Sequence, residues 1–149
     1  MKTAKILLFI SSSFLLVGCS QFNTTAKYDY DEDEIQVERS YEEVKEFELT
    51  WETMFDVDSD SYYVYLYSTT CNHCSELKNY MIEKAIERKD IYFVKGSNKD
   101  QISSDPKNIK YAENPDDIWI LGYPSLLKIV GKKCEKNLAG INQIKAELK

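Results

Sequence analysis

Past residue 40, the plainest hydrophobic signal in the chain is the unbroken run Tyr62-Tyr63-Val64-Tyr65-Leu66-Tyr67. A strand with one wet face alternates apolar and polar residues. This run does not alternate, so both of its faces should be buried, as in the central strand of a sheet covered on each side. Ile91-Tyr92-Phe93-Val94 is a shorter run of the same kind, and Ser125-Leu126-Leu127-Lys128-Ile129-Val130 is a third strand. Between the first two runs, Leu77, Met81 and Ala85 share one stripe with Tyr80 beside it, which predicts a helix over residues 75–89. Gly131-Lys132 can turn the third strand into a hairpin, and residues 133–138 return as a lysine-rich edge strand. Gly140 opens a last helix with Ile141, Ile144 and Leu148 on one face.

The remaining segments are read less directly. Val44, Phe47 and Leu49 suggest a strand over 44–49, although Ser40 with Glu43 could instead form the capping box of a helix. Thr50 is expected to cap a helix holding Trp51, Met54 and Phe55 on one face, and Asp58-Ser59-Asp60-Ser61 is turn chemistry. Residues 96–105 read as a loop, 107–113 as a helix, and Pro115-Asp116-Asp117 as the start of another turn. There are no internal repeats. The order β-α-β-α-β, then a helix, then β-β-α, predicts one α/β domain over residues 41–149, a central sheet flanked by helices on both faces.

The first eighteen residues read as an address. Lys2 and Lys5 precede an apolar stretch from Ile6 to Val17, and twelve residues are too few to span a bilayer, which takes ~20. The stretch ends Leu16-Val17-Gly18-Cys19, which resembles the lipobox of bacterial lipoproteins and implies lipidation of Cys19 after cleavage before it. The expected location is therefore extracytoplasmic, anchored to a bacterial cell membrane through that lipid. Residues 19–40 read as an acidic tether, with Asp29 to Glu34 self-repelling and solvated. Residues 28–60 carry fourteen acidic and two basic side chains, and residues 61–149 carry eleven and fourteen. Nothing here is a concentrated basic patch, so nucleic acid is not an expected partner. A monomer is the default expectation.

Cys71-Asn72-His73-Cys74 follows the central run after Ser68-Thr69-Thr70. Two cysteines three apart can close a small disulfide, and a helix starting between them presents free amides and a dipole that favour thiolate over thiol. Thiolate is the reactive species, and such settings lower a cysteine pKa from ~8.5 to roughly 3.5–7.5. His73, when protonated, adds a second stabiliser for Cys71. Other uses of the motif fit less well. Zinc needs about four ligands, and only His73, inside the loop, and Cys134 remain; haem attachment needs His where Ser75 stands; a loop this short constrains little of the unfolded chain if the disulfide is purely structural. With Cys19 lipidated, Cys134 is left over, most simply as a buried small hydrophobe.

The element order, Cys71-Asn72-His73-Cys74 after the second strand, and Gly122-Tyr123-Pro124-Ser125 before a later one resemble the thioredoxin family over about residues 44–149. The resemblance implies a thioredoxin-like fold with a mixed sheet, a cis Tyr123–Pro124 bond beside the cysteines, and a substrate platform at Tyr123 and Pro124, with Thr70 and Asn72 flanking the pair. It also implies a thiol–disulfide oxidoreductase: Cys71 attacks, Cys74 resolves, and no metal or organic cofactor is needed. Its partners would be cysteine-containing exported proteins and a redox partner that recycles the pair. The chain departs from thioredoxins proper at Thr70, where they carry Trp, at Asn72-His73, where they carry Gly-Pro, and at Tyr65, where they carry a buried acid. His73 before the second cysteine is similar to the oxidases and isomerases of the superfamily. Two other readings stand beside this one. The first is an accessory lipoprotein that binds an exported peptide, such as a bacteriocin, without redox turnover; the second is capture of copper(I) by the cysteine pair.

Overall fold

A computed structural model describes residues 37–97, 100–105 and 111–149. Five strands make one mixed sheet in the order β1-β3-β2-β4-β5. They are β1 (Glu48–Leu49), β2 (Ser61–Tyr67), β3 (Ile91–Lys95), β4 (Ser125–Val130) and β5 (Lys133–Ala139). β2 lies at the centre, as its unbroken apolar run requires. It runs parallel to β3, with Tyr65 opposite Phe93, and antiparallel to β4, with Tyr65 opposite Leu126. The helix α1 (Asn72–Arg88) connects β2 to β3, and α2 (Ile141–Glu147) closes the chain.

Alternation along β2 divides the core into two layers, because successive side chains point to opposite faces. Tyr63, Tyr65 and Tyr67 face α1 and α2, where they pack with Cys74, Leu77, Met81, Phe93 and Ile144. Tyr62, Val64 and Leu66 face the other way, against Trp51, Met54, Phe55, Ile118, Ile120 and Cys134. On that second side the described cover comes from the turns over 51–55 and from Ala112, Ile118 and Ile120 on either side of the short 3-10 helix Pro115–Asp117.

Three local expectations are corrected. Residues 44–49 are not one strand: Tyr41–Phe47 is a 3-10 helix and only Glu48–Leu49 pair with β3. The capping box prevailed, since the Ser40 side chain and the Glu43 carboxylate satisfy the helix's free amides reciprocally. Residues 51–55 form turns rather than a helix, with the Thr50 amide bonded to Thr53 Oγ1, yet Trp51, Met54 and Phe55 are buried as their spacing predicts. Of the expected helix over 107–113, residues 107–110 lie outside the described residues, and 111–113 are not helical. Part of the expected tether also packs on the domain: the Arg39 amide donates to Asn79 Oδ1 of α1 at 3.0 Å, and Lys78 pairs with Glu38.

Glu147 fastens α2 to the sheet. Its carboxylate accepts from the Tyr63 hydroxyl at 3.0 Å and from Lys136 Nζ at 2.7 Å, and the Lys136 bond holds its pKa below the ordinary value. A depressed carboxylate contributes stability that is fully present above its unfolded pKa and is lost as pH falls through the folded one. Lys136 is nearly half exposed, so solvent screens the pair and the net contribution is about 1 kcal/mol. Glu147→Gln should therefore lower Tm by about 4 °C at pH 7, and the gap from wild type should close as pH falls below 4.5. Thermal melts across that range are the check; a gap independent of pH would mean the carboxylate charge contributes nothing.

Candidate active site

The C-terminal end of β2 delivers the chain through Ser68-Thr69-Thr70 to Cys71, which is the N-cap of α1. Helix N-termini leave amides without intrahelical partners, and Ser, Thr, Asp or Asn oxygens ordinarily satisfy them. Here sulfur does so: the Cys74 amide donates to Cys71 Sγ at 3.2 Å. The same sulfur also meets the turn before β4, where the Cys71 thiol donates to the Tyr123 carbonyl at 3.4 Å. Both cysteines are free thiols. Cys71 is half-buried, whereas Cys74 is 1% exposed and faces the core. Burial pushes the Cys74 thiol up to about 12, and the adjacent Cys71 adds to the shift. The two cysteines thus differ in access, although only Asn72 and His73 stand between them.

The Tyr123–Pro124 peptide is cis, as the family resemblance implies. Pro124 is buried, its carbonyl accepts the Gly140 amide, and Ser125 Oγ returns a hydrogen bond to the Gly122 carbonyl at 2.6 Å. The Tyr123 side chain is committed away from the sulfur. Its ring lies over Gly96 so closely that a Cβ there would collide with it, and its hydroxyl donates to Asp100 Oδ2. Asp100 in turn accepts from the Ser97 amide and hydroxyl, while the Gly96 amide donates to the Tyr67 carbonyl at 2.6 Å. Of the expected platform, the Tyr123 backbone faces the Cys71 sulfur and its side chain braces the loop after β3. Sequence spacing had no means of showing this brace: Gly96 and Asp100 carry no motif.

No protein-family model and no curated protein sequence matches the chain. Solved structures similar to it include thioredoxin f2 of Chlamydomonas reinhardtii, with 18% identity over 68% of this chain and 89% of that one, at a TM-score of 0.42. Mitochondrial thioredoxin 3 of Saccharomyces cerevisiae, in its oxidized form, shares 16% identity over 67% and 88%, at 0.44. Spinach chloroplast thioredoxin f shares 12% over 67% and 78%, at 0.45. By its own strand order, the helix N-cap at Cys71 and the cis-proline turn beside it, this chain has a thioredoxin-like fold.

Within this thioredoxin-like domain, Thr70, Asn72 and His73 are exposed on the rim, in or just before the first turn of α1. The Thr70 amide bonds Ser68 Oγ at 3.3 Å, which tightens the approach to Cys71. Cys134 lies in the opposite layer of the core from Cys74, with its thiol donating to the Lys136 carbonyl at 3.2 Å. Burial raises its pKa to about 12. The sheet stands between it and the pair, and Cys134 is a small core residue. Cys19 lies outside the described residues. Iodoacetamide at pH 7.5 should therefore label Cys71 in the native protein and spare Cys74 and Cys134 until denaturant is added. Peptide mass spectrometry reads this directly, and equal labelling of Cys71 and Cys74 would contradict the burial argument.

Proposed function

We propose that the chain is a membrane-tethered, extracytoplasmic thiol–disulfide oxidoreductase acting on cysteine-containing exported proteins. The observation that carries this reading is the asymmetric pair: an accessible sulfur capping a helix, with a buried thiol one turn further on. Cys71, as thiolate, attacks one sulfur of a partner disulfide; a mixed disulfide forms and the partner's other sulfur leaves as thiolate. Cys74 then attacks Cys71, the bond to the partner breaks, and the pair holds the disulfide while the partner has gained two electrons. The reverse sequence oxidises a partner dithiol. The Cys74 amide facing Cys71 Sγ is a donor that stays in place when that sulfur carries charge. A second protein must return the pair to its working state. The lipobox-like Leu16-Val17-Gly18-Cys19 supports the membrane tether.

Cys71→Ser should abolish exchange with a protein disulfide, and Cys74→Ser should accumulate mixed disulfides visible on non-reducing gels. Full turnover by Cys71→Ser would overturn the reading. Equilibration against glutathione buffers fixes the direction: a potential near −120 to about −180 mV indicates an oxidase or isomerase, and one near about −270 mV a reductase. Cys19→Ala should release the protein from the membrane fraction of a bacterial host, as followed by fractionation and lipid labelling; unchanged membrane retention would exclude the proposed anchor.

A further inference from the structure

Among the described residues, one buried side-chain polar atom has no hydrogen-bond partner: the hydroxyl of Tyr65. The residue is fully buried between the sheet and α1, in the same cluster as Cys74. Its strand neighbours do better. Tyr62 donates its hydroxyl to the Met54 carbonyl at 2.9 Å, and Tyr63 donates to Glu147. An orphaned buried hydroxyl keeps its desolvation penalty with nothing in return, and phenylalanine would fill the same space without it. Packing alone gives no reason for a tyrosine at this position.

The surroundings suggest one. From α1 and its cap, Cys74 and Cys71 act on Tyr65 electrostatically. From the 3-10 helix Tyr41–Phe47, Tyr41 is the neighbour that acts most on Tyr65, and no hydrogen bond joins the two hydroxyls. Along β2, the Tyr67 ring is parallel to that of Tyr65 at 6.0 Å, and Phe93 of β3 meets it edge-on at 5.7 Å. From the cis-proline turn, Tyr123 is the further titratable group near Cys74. Burial and the adjacent Cys71 push the Cys74 thiol up, and the Ser68 backbone is the group that opposes them. Cys74 must nevertheless become a nucleophile in the resolving step. Its sulfur attacks Cys71 of the mixed disulfide, the Cys71–partner bond breaks, and the departing partner thiolate takes up a proton while Cys74 gives one up. Negative charge develops on a sulfur that water scarcely reaches.

We propose that Tyr65 is a positioning residue for this step: its unpartnered O–H turns toward the Cys74 sulfur as charge forms there and stabilises it. The ring is held by Tyr67 and Phe93, but no bond holds the hydroxyl rotor, and a dipole in this dry layer acts more strongly than in water. The inference rests on the oxidoreductase reading and deepens it.

The test uses the full chain carrying Cys19→Ser, so that the pair and the buried Cys134 are the remaining thiols. With the aromatic disulfide 5,5′-dithiobis(2-nitrobenzoate), attack by Cys71 releases a first thiolate chromophore and resolution by Cys74 a second. Tyr65→Phe should leave the first phase unchanged, slow the second about tenfold at pH 7, and displace its pH profile upward by about one unit. Tyr67→Phe is the control: it removes a hydroxyl from the neighbouring ring, whose charged neighbour is Glu48, and should leave both phases as in wild type. Melting should show Tyr65→Phe as stable as wild type or more so. An unshifted second phase, equal slowing in Tyr67→Phe, or a destabilised Tyr65→Phe would each overturn the assignment of Tyr65. A wild-type protein with no first phase would instead overturn the oxidoreductase reading, and this inference with it.

Discussion

The hydrogen bond from the Cys74 amide to the Cys71 sulfur joins two requirements that most proteins meet with separate residues. A helix that starts must satisfy its first amides, and a sulfur that can carry charge needs a donor facing it. Neutral sulfur is a weak acceptor, so the cap is strongest when Cys71 is a thiolate, and the start of α1 is tied to the charge state of the site. The rest of the arrangement follows from holding this cap in place. β2 must end where α1 begins, and the turn carrying Tyr123 must come in ahead of β4 to bring its carbonyl to the sulfur.

That placement depends on a strand made largely of tyrosine. Phenol rings bury as much area as other aromatic side chains, but each brings a hydroxyl that needs a partner or water. Along β2, Tyr62 finds a backbone carbonyl, Tyr63 finds the carboxylate that fastens α2, and Tyr65 finds nothing. The sheet also separates the cysteines. Cys74 and Cys134 are both buried and both held protonated by burial, but they occupy opposite layers. A single sheet therefore keeps Cys134 apart from the Cys71–Cys74 pair.

Much of this was legible along the chain, for specific reasons. An unbroken apolar run of β-formers has few options other than a central strand, and β2 is one; the stripe Leu77, Met81, Ala85 likewise left little choice for α1. The hairpin at Gly131-Lys132 was set by residues that adopt positive φ there. The errors lie where two local signals competed at comparable strength. At residues 40–49 a weak apolar spacing favoured a strand and a capping box favoured a helix; reciprocal side-chain bonds decided for the helix. At Thr50 the burial of Trp51, Met54 and Phe55 was read correctly while their backbone was not, because turns and a short helix bury the same positions.

By itself, then, the amino-acid sequence determined the central strand, the helix that follows it and the proximity of Cys71 to Cys74, all of which rest on periodicity or on neighbours within a few residues. The tertiary structure alone decided which sulfur would be buried, that the Tyr123 carbonyl would face Cys71 while its ring braced Gly96 and Asp100, and that the Tyr65 hydroxyl would be left without a partner. Each of these depends on groups tens of residues apart meeting in a packed interior. Hydrogen-bond satisfaction and desolvation are properties of that shared environment and are not encoded by any one segment.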